Sequence, residues 1–168
     1  QLDPDRIAFR MEQFIFADGT VLKHEDILSL IKIYGTEGDD VLIGSDGSED
    51  IYAYGGNDEI EGNRGADRIF AGAGDDTVYA GDNADLIYGQ EGNDTLYGGD
   101  DDDTYVFNRG DGQDVIVDSH GKEDKMIFGA EITKEHLDFT AENNSLVISI
   151  KDSSDKITVK GFLGLERD

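Results

Sequence analysis

A carboxylate recurs every nine residues through the middle of this 168-residue chain, at Asp40, Glu49, Asp58, Asp67, Asp76, Asp85, Asp94 and Asp103. Two residues after each stands a large apolar side chain: Leu42, Ile51, Ile60, Ile69, Val78, Ile87, Leu96 and Tyr105. Two residues before it the chain carries Gly38, Gly47, Gly56, Gly65, Gly74 and Gly92, with Asn83 and Asp101 in the two remaining places. After two inserted residues a degenerate ninth loop repeats the order with Gly110, Gly112, Asp114 and Ile116. The chemistry open to such a set is cation binding. Carboxylates, together with main-chain carbonyls exposed at glycine turns, make an all-oxygen donor set, and the block contains neither cysteine nor histidine. Such donors suit Ca2+ rather than zinc or copper.

The same spacing dictates the local structure that holds these groups. Written as nine-residue units from Gly35 to Val106, glycines at positions 1, 2 and 4 permit φ > 0 and a tight turn, and the acid at position 6 closes it. Position 8 sits at the centre of a three-residue strand whose flanking positions 7 and 9 face the other way. Two units complete one coil, so alternate units build two parallel sheets and stack their acidic turns in two columns. Successive turns of a column lie about 4.8 Å apart, room for one cation between two carboxylates. One column pairs Asp40 with Asp58, Asp58 with Asp76 and Asp76 with Asp94. The other pairs Glu49 with Asp67, Asp67 with Asp85 and Asp85 with Asp103. If the ninth loop stacks on the seventh, Asp94 meets Asp114. The geometry implies roughly six to eight ions. Glu49, with its longer side chain, is expected to shift or weaken the site it shares with Asp67. Asn83 and Asp101 replace glycine at a turn position because both visit the left-handed region more readily than other side chains.

Composition agrees. The chain carries a formal charge of −25, and Gly35 to Val106 alone holds 20 acidic residues against Arg64 and Arg68, or −18. One apolar residue in nine makes a thin core, and high like charge disfavours folding without help. Metal must supply what burial does not. The acidic balance argues against nucleic acid and against plain attraction to an anionic lipid surface. With no cysteine there is no disulfide framework and no thiolate zinc site. Neither a signal peptide nor an apolar run long enough to span a membrane is visible.

Catalytic patterns are poorly matched. His24-Glu25 lacks the second histidine of H-E-x-x-H, since Leu28 stands there, and His120 and His136 are isolated. Gly44 to Gly47 does not make a nucleophile elbow, and Asp100 to Asp103 lacks the alternation of an EF-hand loop. The expectation is a binding module, not an enzyme. Tyr52, Phe70, Tyr79, Tyr88 and Tyr97, all at outward position 9, are expected to stack as ladders worth roughly 0.2 to 1 kcal/mol per pair.

The flanks read differently. Phe14 to Phe16 and Val21-Leu22 form a hairpin about Asp18-Gly19, and His24 to Ile33 suits a short amphipathic helix with Ile27, Leu28, Leu30 and Ile31 inward, shielding the first coil. Beyond the repeats, strand patterns at 115–117, 125–128, 137–141, 146–151 and 156–162, with a helical turn at 133–137 and turns at Asn143-Asn144 and 152–155, suggest a small antiparallel sheet on the end of the roll. The division is 1–34 cap, 35–117 roll, 118–168 flank.

The unit G-G-x-G-x-D-x-U-x, with U apolar, resembles the repeat of the repeats-in-toxin (RTX) family of secreted bacterial proteins. The expected fold is all-β, a right-handed parallel β-roll capped by an N-terminal hairpin and helix and a C-terminal antiparallel flank. The resemblance implies export by type I secretion machinery, a secreted or cell-surface location, and contact with a host cell surface through the full-length protein. Phe107 to Asp114, Asp124-Lys125 and Leu146 to Ser149 resemble the segment that comes after the repeats in hemolysin-type members, where it caps the roll and starts its folding. Met11 to Leu22 resembles the stretch of chain just downstream of such a flank, implying tandem blocks, and Asp3-Pro4 resembles a bond cut in self-processing members, although a plain linker is the stronger reading. The function implied is a calcium-responsive module of a large secreted toxin of the cytolysin type. The alternative is a calcium-stiffened segment of a surface adhesin or ligand-binding protein.

Overall fold

Short strands alternating with tight turns organise almost the whole of the computed structural model, which describes residues 13–23, 26–27, 30–118 and 120–164. A hairpin of β1 (Gln13–Ile15) and β2 (Val21–Lys23) comes first, Phe14 facing Leu22 across the pair. The Asp18 carboxylate accepts the Thr20 N–H at 2.9 Å and fixes the turn. The roll then runs through β3 (Lys32–Tyr34), β4 (Val41–Ile43), β5 (Asp50–Tyr52), β6 (Glu59–Glu61), β7 (Arg68–Ala73), β8 (Thr77–Asp82), β9 (Leu86–Glu91), β10 (Thr95–Asp100), β11 (Thr104–Phe107) and β12 (Gln113–Val117). Strands β13 (Lys125–Phe128), β14 (Leu137–Glu142), β15 (Ser145–Ile150) and β16 (Lys156–Val159) complete it, with a 3-10 turn at Lys134–His136.

Alternate strands form two sheets, β4-β6-β8-β10-β12 and β3-β5-β7-β9-β11, in five parallel coils. The register is set by the position-8 side chains: Leu42, Ile60, Val78, Leu96 and Ile116 stack in one sheet, and Ile33, Ile51, Ile69, Ile87 and Tyr105 in the other. Inward-facing Ile51, Ile60, Ile69, Val78 and Ile87 are wholly buried, and the small Ala53, Ala71 and Ala80 at position 1 fill the space beside them. The two-residue insertion is absorbed without loss of register, since Leu96 pairs with Ile116.

Four expectations need correction. Positive φ falls at positions 2 and 4, not at position 1: Gly72, Gly81 and Gly99 occupy position 2, and Gly56, Gly65, Gly74 and Gly92 position 4. The strands from β7 to β10 are six residues long because positions 1 to 3 of the following unit continue the pairing, as between Gly72 and Gln90 or Gly99 and Gly81. Leu30 and Ile31 do not turn inward; both are exposed, and Ile33 lies in β3 paired with β5. The C-terminal strands form no separate sheet. β13 adds in parallel to β11, β16 adds in parallel to β12, and β15 and β14 extend the β12 sheet beyond β16 with antiparallel pairing. Asp3, Pro4, Met11, His24, Glu25 and Leu28 lie outside the described residues.

Candidate metal centre

Stacking the coils brings each position-6 carboxylate onto the backbone of the coil before it. Asp40 N–H donates to Asp58 Oδ1 at 2.8 Å, Asp58 to Asp76 at 2.8 Å, Asp76 to Asp94 at 2.9 Å and Asp94 to Asp114 at 3.1 Å. In the second column Glu49 donates to Asp67 at 2.7 Å, Asp67 to Asp85 and Asp85 to Asp103 at 2.8 Å, and Asp103 to Asp124 at 3.1 Å. The pairs expected from the nine-residue spacing are therefore the pairs that meet. Each carboxylate uses one oxygen in this ladder. Among the described residues, the other oxygen of Asp58, Asp67, Asp76, Asp85, Asp94 and Asp103 is buried with no hydrogen-bond donor.

Burial of unpaired carboxylates disfavours their charged form. The carboxyls of Asp67 and Asp76 are pushed up to about 6, Asp94 and Asp103 to about 7, and Asp85 and Asp114 to about 8, desolvation being the largest cause and neighbouring carboxylates adding to it. Hydrogen bonding from the preceding coil opposes the shift without cancelling it.

Glycine holds the turns close. At Gly74, with φ +133°, an added Cβ would collide with the carbonyl oxygen of Gly56 one coil earlier. The position-4 residues Gly38, Gly56, Gly74 and Gly92 thus stack carbonyl against backbone, as do Gly47 and Gly65 in the other column. Asn83 and Asp101 take φ of 79° and 78° in the same places.

The first loop of each column differs. Asp40 Oδ2 accepts the Thr36 N–H at 2.6 Å and its hydroxyl at 2.9 Å. Glu49 accepts the Ser45 N–H at 2.9 Å and its hydroxyl at 2.5 Å. Gly38 and Gly47 do not take positive φ there; their N–H groups bond to the Thr36 and Ser45 hydroxyls at 3.2 and 3.0 Å. A hydroxyl at position 2 closes these two loops from within.

Two groups escaped the sequence reading. Position-5 side chains form an outer ladder: Asn57 N–H donates to Asp39 at 2.7 Å, Asp75 to Asn57 at 2.9 Å and Asn93 to Asp75 at 2.8 Å. Its alternation of Asp and Asn, visible in the sequence at eighteen-residue spacing, keeps like charges apart. Asp124 extends the second column, and its signal was an acid two residues before the apolar Met126. Outward aromatics stack as expected, Tyr52 on Phe70 at 4.9 Å, Phe70 on Tyr88 at 4.6 Å and Tyr79 on Tyr97 at 4.8 Å, with Tyr34 joining at 5.5 Å from Tyr52.

The arrangement fits calcium: hard oxygen donors only, buried carboxylate oxygens without donors, and turns packed to backbone contact. The sequence profile of the RTX calcium-binding nonapeptide repeat, in four copies, matches residues 32–60, 52–87 and 79–116. The iron-regulated protein FrpA of Neisseria meningitidis serogroup C is 40% identical over 62 residues, covering 35% of this chain and 6% of that protein. The chain therefore spans a small fraction of this relative. Among solved structures, the AlgE6R3 subunit of the Azotobacter vinelandii mannuronan C5-epimerase superposes with a TM-score of 0.45 and 22% identity, over 76% of this chain and 73% of that one. The extracellular lipase LipA of Serratia marcescens does so with a TM-score of 0.31 and 16% identity, over 77% and 38%. The profile covers half of the chain and every coil of the roll, and by it the chain belongs to the family of RTX calcium-binding nonapeptide repeat proteins.

Proposed function

We propose that the chain is a non-enzymatic folding module of a large secreted bacterial protein of the cytolysin type, disordered at low calcium during type I export and ordered by extracellular calcium. The observation that carries this reading is the pair of aspartate columns, in which Asp58, Asp67, Asp76, Asp85, Asp94 and Asp103 each retain one buried oxygen without a donor. Calcium bound between successive turns would supply the positive charge that these columns lack. Asp58, Asp67, Asp76, Asp85, Asp94, Asp103 and Asp114 would hold it, with carbonyls of Gly56, Gly65, Gly74 and Gly92. Asp40, Glu49, Gly38 and Gly47 remain part of the proposed set as its weakest members, since Thr36 and Ser45 already occupy both carboxylates. Six to eight ions is the corresponding count. At a free calcium concentration tenfold above the dissociation constant, each ion contributes about 1.4 kcal/mol. Extracellular calcium modules bind in the range of about 0.1 to 1 mM, far above cytosolic levels, so compartment alone would set the state.

The division into a cap (1–34), a roll (35–117) and a flank (118–168) belongs to the same proposal, with the flank as the element that starts folding. The test is a calcium titration followed by far-UV circular dichroism and hydrodynamic radius. Millimolar calcium raises the β signal and contracts the chain, and magnesium, which demands a tighter octahedral shell, does not replace it. A chain already compact in chelator at neutral pH overturns the reading.

A further inference from the structure

At the C-terminal end of the roll, three carboxylates converge that the nonapeptide pattern does not bring together. Asp103 closes the last regular unit, Asp118 comes directly after β12, and Asp124 precedes β13. One oxygen from each lies within 4.8 Å of the other two. Asp103 is wholly buried, and its Oδ2 has no hydrogen-bond donor. Its Oδ1 is occupied by the Asp85 N–H at 2.8 Å, so the oxygen offered to the cluster is the one without a donor. Asp124 Oδ1 accepts the Asp103 N–H at 3.1 Å, which fixes that carboxylate against the coil. The hydroxyl of the buried Tyr105 donates to Asp118 Oδ2 at 2.8 Å and orients the third. Gly98 makes the room: a Cβ there would strike the Tyr105 hydroxyl and Asp103 Oδ2 and come within 2.8 Å of Asp118 Oδ2. Among the described residues neither Asp103 nor Asp124 forms an ion pair with a lysine, arginine or histidine.

We propose that Asp103, Asp118 and Asp124 form a divalent-cation site, selective for calcium-like oxygen-seeking ions, that fastens β13 to the last coil of the roll. It differs from the repeat sites in having a third carboxylate, Asp118, drawn from outside the nonapeptide units. Three carboxylates rather than two make it the most negative of the candidate sites, and charge count is a principal determinant of affinity for calcium. The cation class rests on the calcium reading of the repeats; the site itself rests on the convergence of three side chains around a buried oxygen that lacks a donor. Because β13 pairs with β11 and Asp124 immediately precedes it, occupancy couples the first strand of the C-terminal segment to the coil it must cover.

The test uses the full chain crystallised with terbium(III) in place of calcium, and an anomalous difference map. A peak between Asp103, Asp118 and Asp124 supports the site. Peaks in the repeat turns with none between these three overturn it and leave the repeat reading intact, whereas no peak anywhere overturns both. In solution, Asp118→Asn keeps an oxygen for the Tyr105 hydroxyl and removes only charge. Equilibrium dialysis should then find one calcium fewer per chain, and hydrogen exchange at Lys125 and Gly129, whose N–H groups donate to the carbonyls of Asp103 and Phe107, should quicken at least tenfold at limiting calcium. A merely structural Asp118 would leave the stoichiometry unchanged, and that result overturns the site.

Discussion

The main-chain N–H of Asp58 donates to Oδ1 of Asp76, 2.8 Å away in the next coil, and leaves Oδ2 of the same carboxylate buried with no donor. One side chain thus serves two purposes that a single substitution can separate. Asp76→Asn retains an oxygen for the ladder and loses the charge. It is expected to raise the calcium midpoint by about tenfold, equivalent to about 1.4 kcal/mol, while leaving the metal-free chain no less prone to fold. Asp76→Ala removes both contributions and should shift the midpoint further. Titration by circular dichroism decides it; an Asn variant with a native midpoint would show that this carboxylate ligates nothing.

Position along a column sets a second expectation. Asp76 and Asp85 each face a neighbouring carboxylate on both sides, whereas Asp40 ends its column and its second oxygen is taken by Thr36. Asp40→Ala should therefore move the calcium midpoint less than Asp76→Ala or Asp85→Ala. Thr36→Val, which deletes the hydroxyl bonded to Asp40 and to the Gly38 N–H, should cost about 1 kcal/mol of stability with calcium stoichiometry unchanged. Equal midpoint shifts for all three alanine variants would contradict the stacking of sites.

Much of this was legible in the sequence, and the reasons are specific. The nine-residue interval determined which aspartates meet, because a strand period of two and a turn of constant length leave Leu42, Ile60 and Val78 one register. The same regularity concealed what the ends do. Thr36 and Ser45 had no role in the sequence reading, yet their hydroxyls satisfy Asp40 and Glu49 locally. The strands expected at 125–128, 137–141 and 146–151 lie within one residue of β13, β14 and β15, whereas 156–162 overran β16 by three residues, and strand pattern alone says nothing about partners. That β16 runs parallel to β12 while pairing antiparallel with β15 is a long-range choice, and only the three-dimensional arrangement shows it. Leu30 and Ile31 were assigned inward by helical spacing, whereas β3 takes up the chain immediately afterwards with strand periodicity.

Protons compete with calcium for these columns, and the sign is fixed by the direction of the shifts. Asp67, Asp76, Asp85, Asp94, Asp103 and Asp114 hold protons in the folded metal-free state at about 6 to 8, above the unfolded value of about 3.9. Folding without metal is therefore favoured by protonation: its proton-linked stability is whole below about pH 4 and is lost as pH rises through 6 to 8. Calcium needs the charged form, so its apparent affinity should rise over the same window, with protons released on binding. Midpoints measured at pH 6, 7 and 8 should fall in that order. A midpoint independent of pH would mean that the carboxylates are already ionised in the folded metal-free roll.

Strand pairing at the C-terminal end sets the last expectation. The roll's final strands, β11 and β12, are each covered by a parallel partner, β13 and β16, and Ile148, Ile150 and Ile157 join the same core as Ile116 and Tyr105. Removing residues after Val117 would expose two sheet edges and the apolar row between them, and would remove Asp118 and Asp124 from the end of the second column. The N-terminal hairpin contributes less: β1 is exposed along its length, and β2 is only partly covered at Leu22. Truncation after Val117 should abolish calcium-induced folding or raise its midpoint at least tenfold, whereas removal of residues 1–31 should shift it by less than about threefold, since one such factor is under 1 kcal/mol. Circular dichroism against calcium for the two truncations, beside the whole chain, distinguishes them. A roll that folded at the native midpoint without its flank would show that the coils nucleate from within, and folding from the C-terminal end would not apply to this chain.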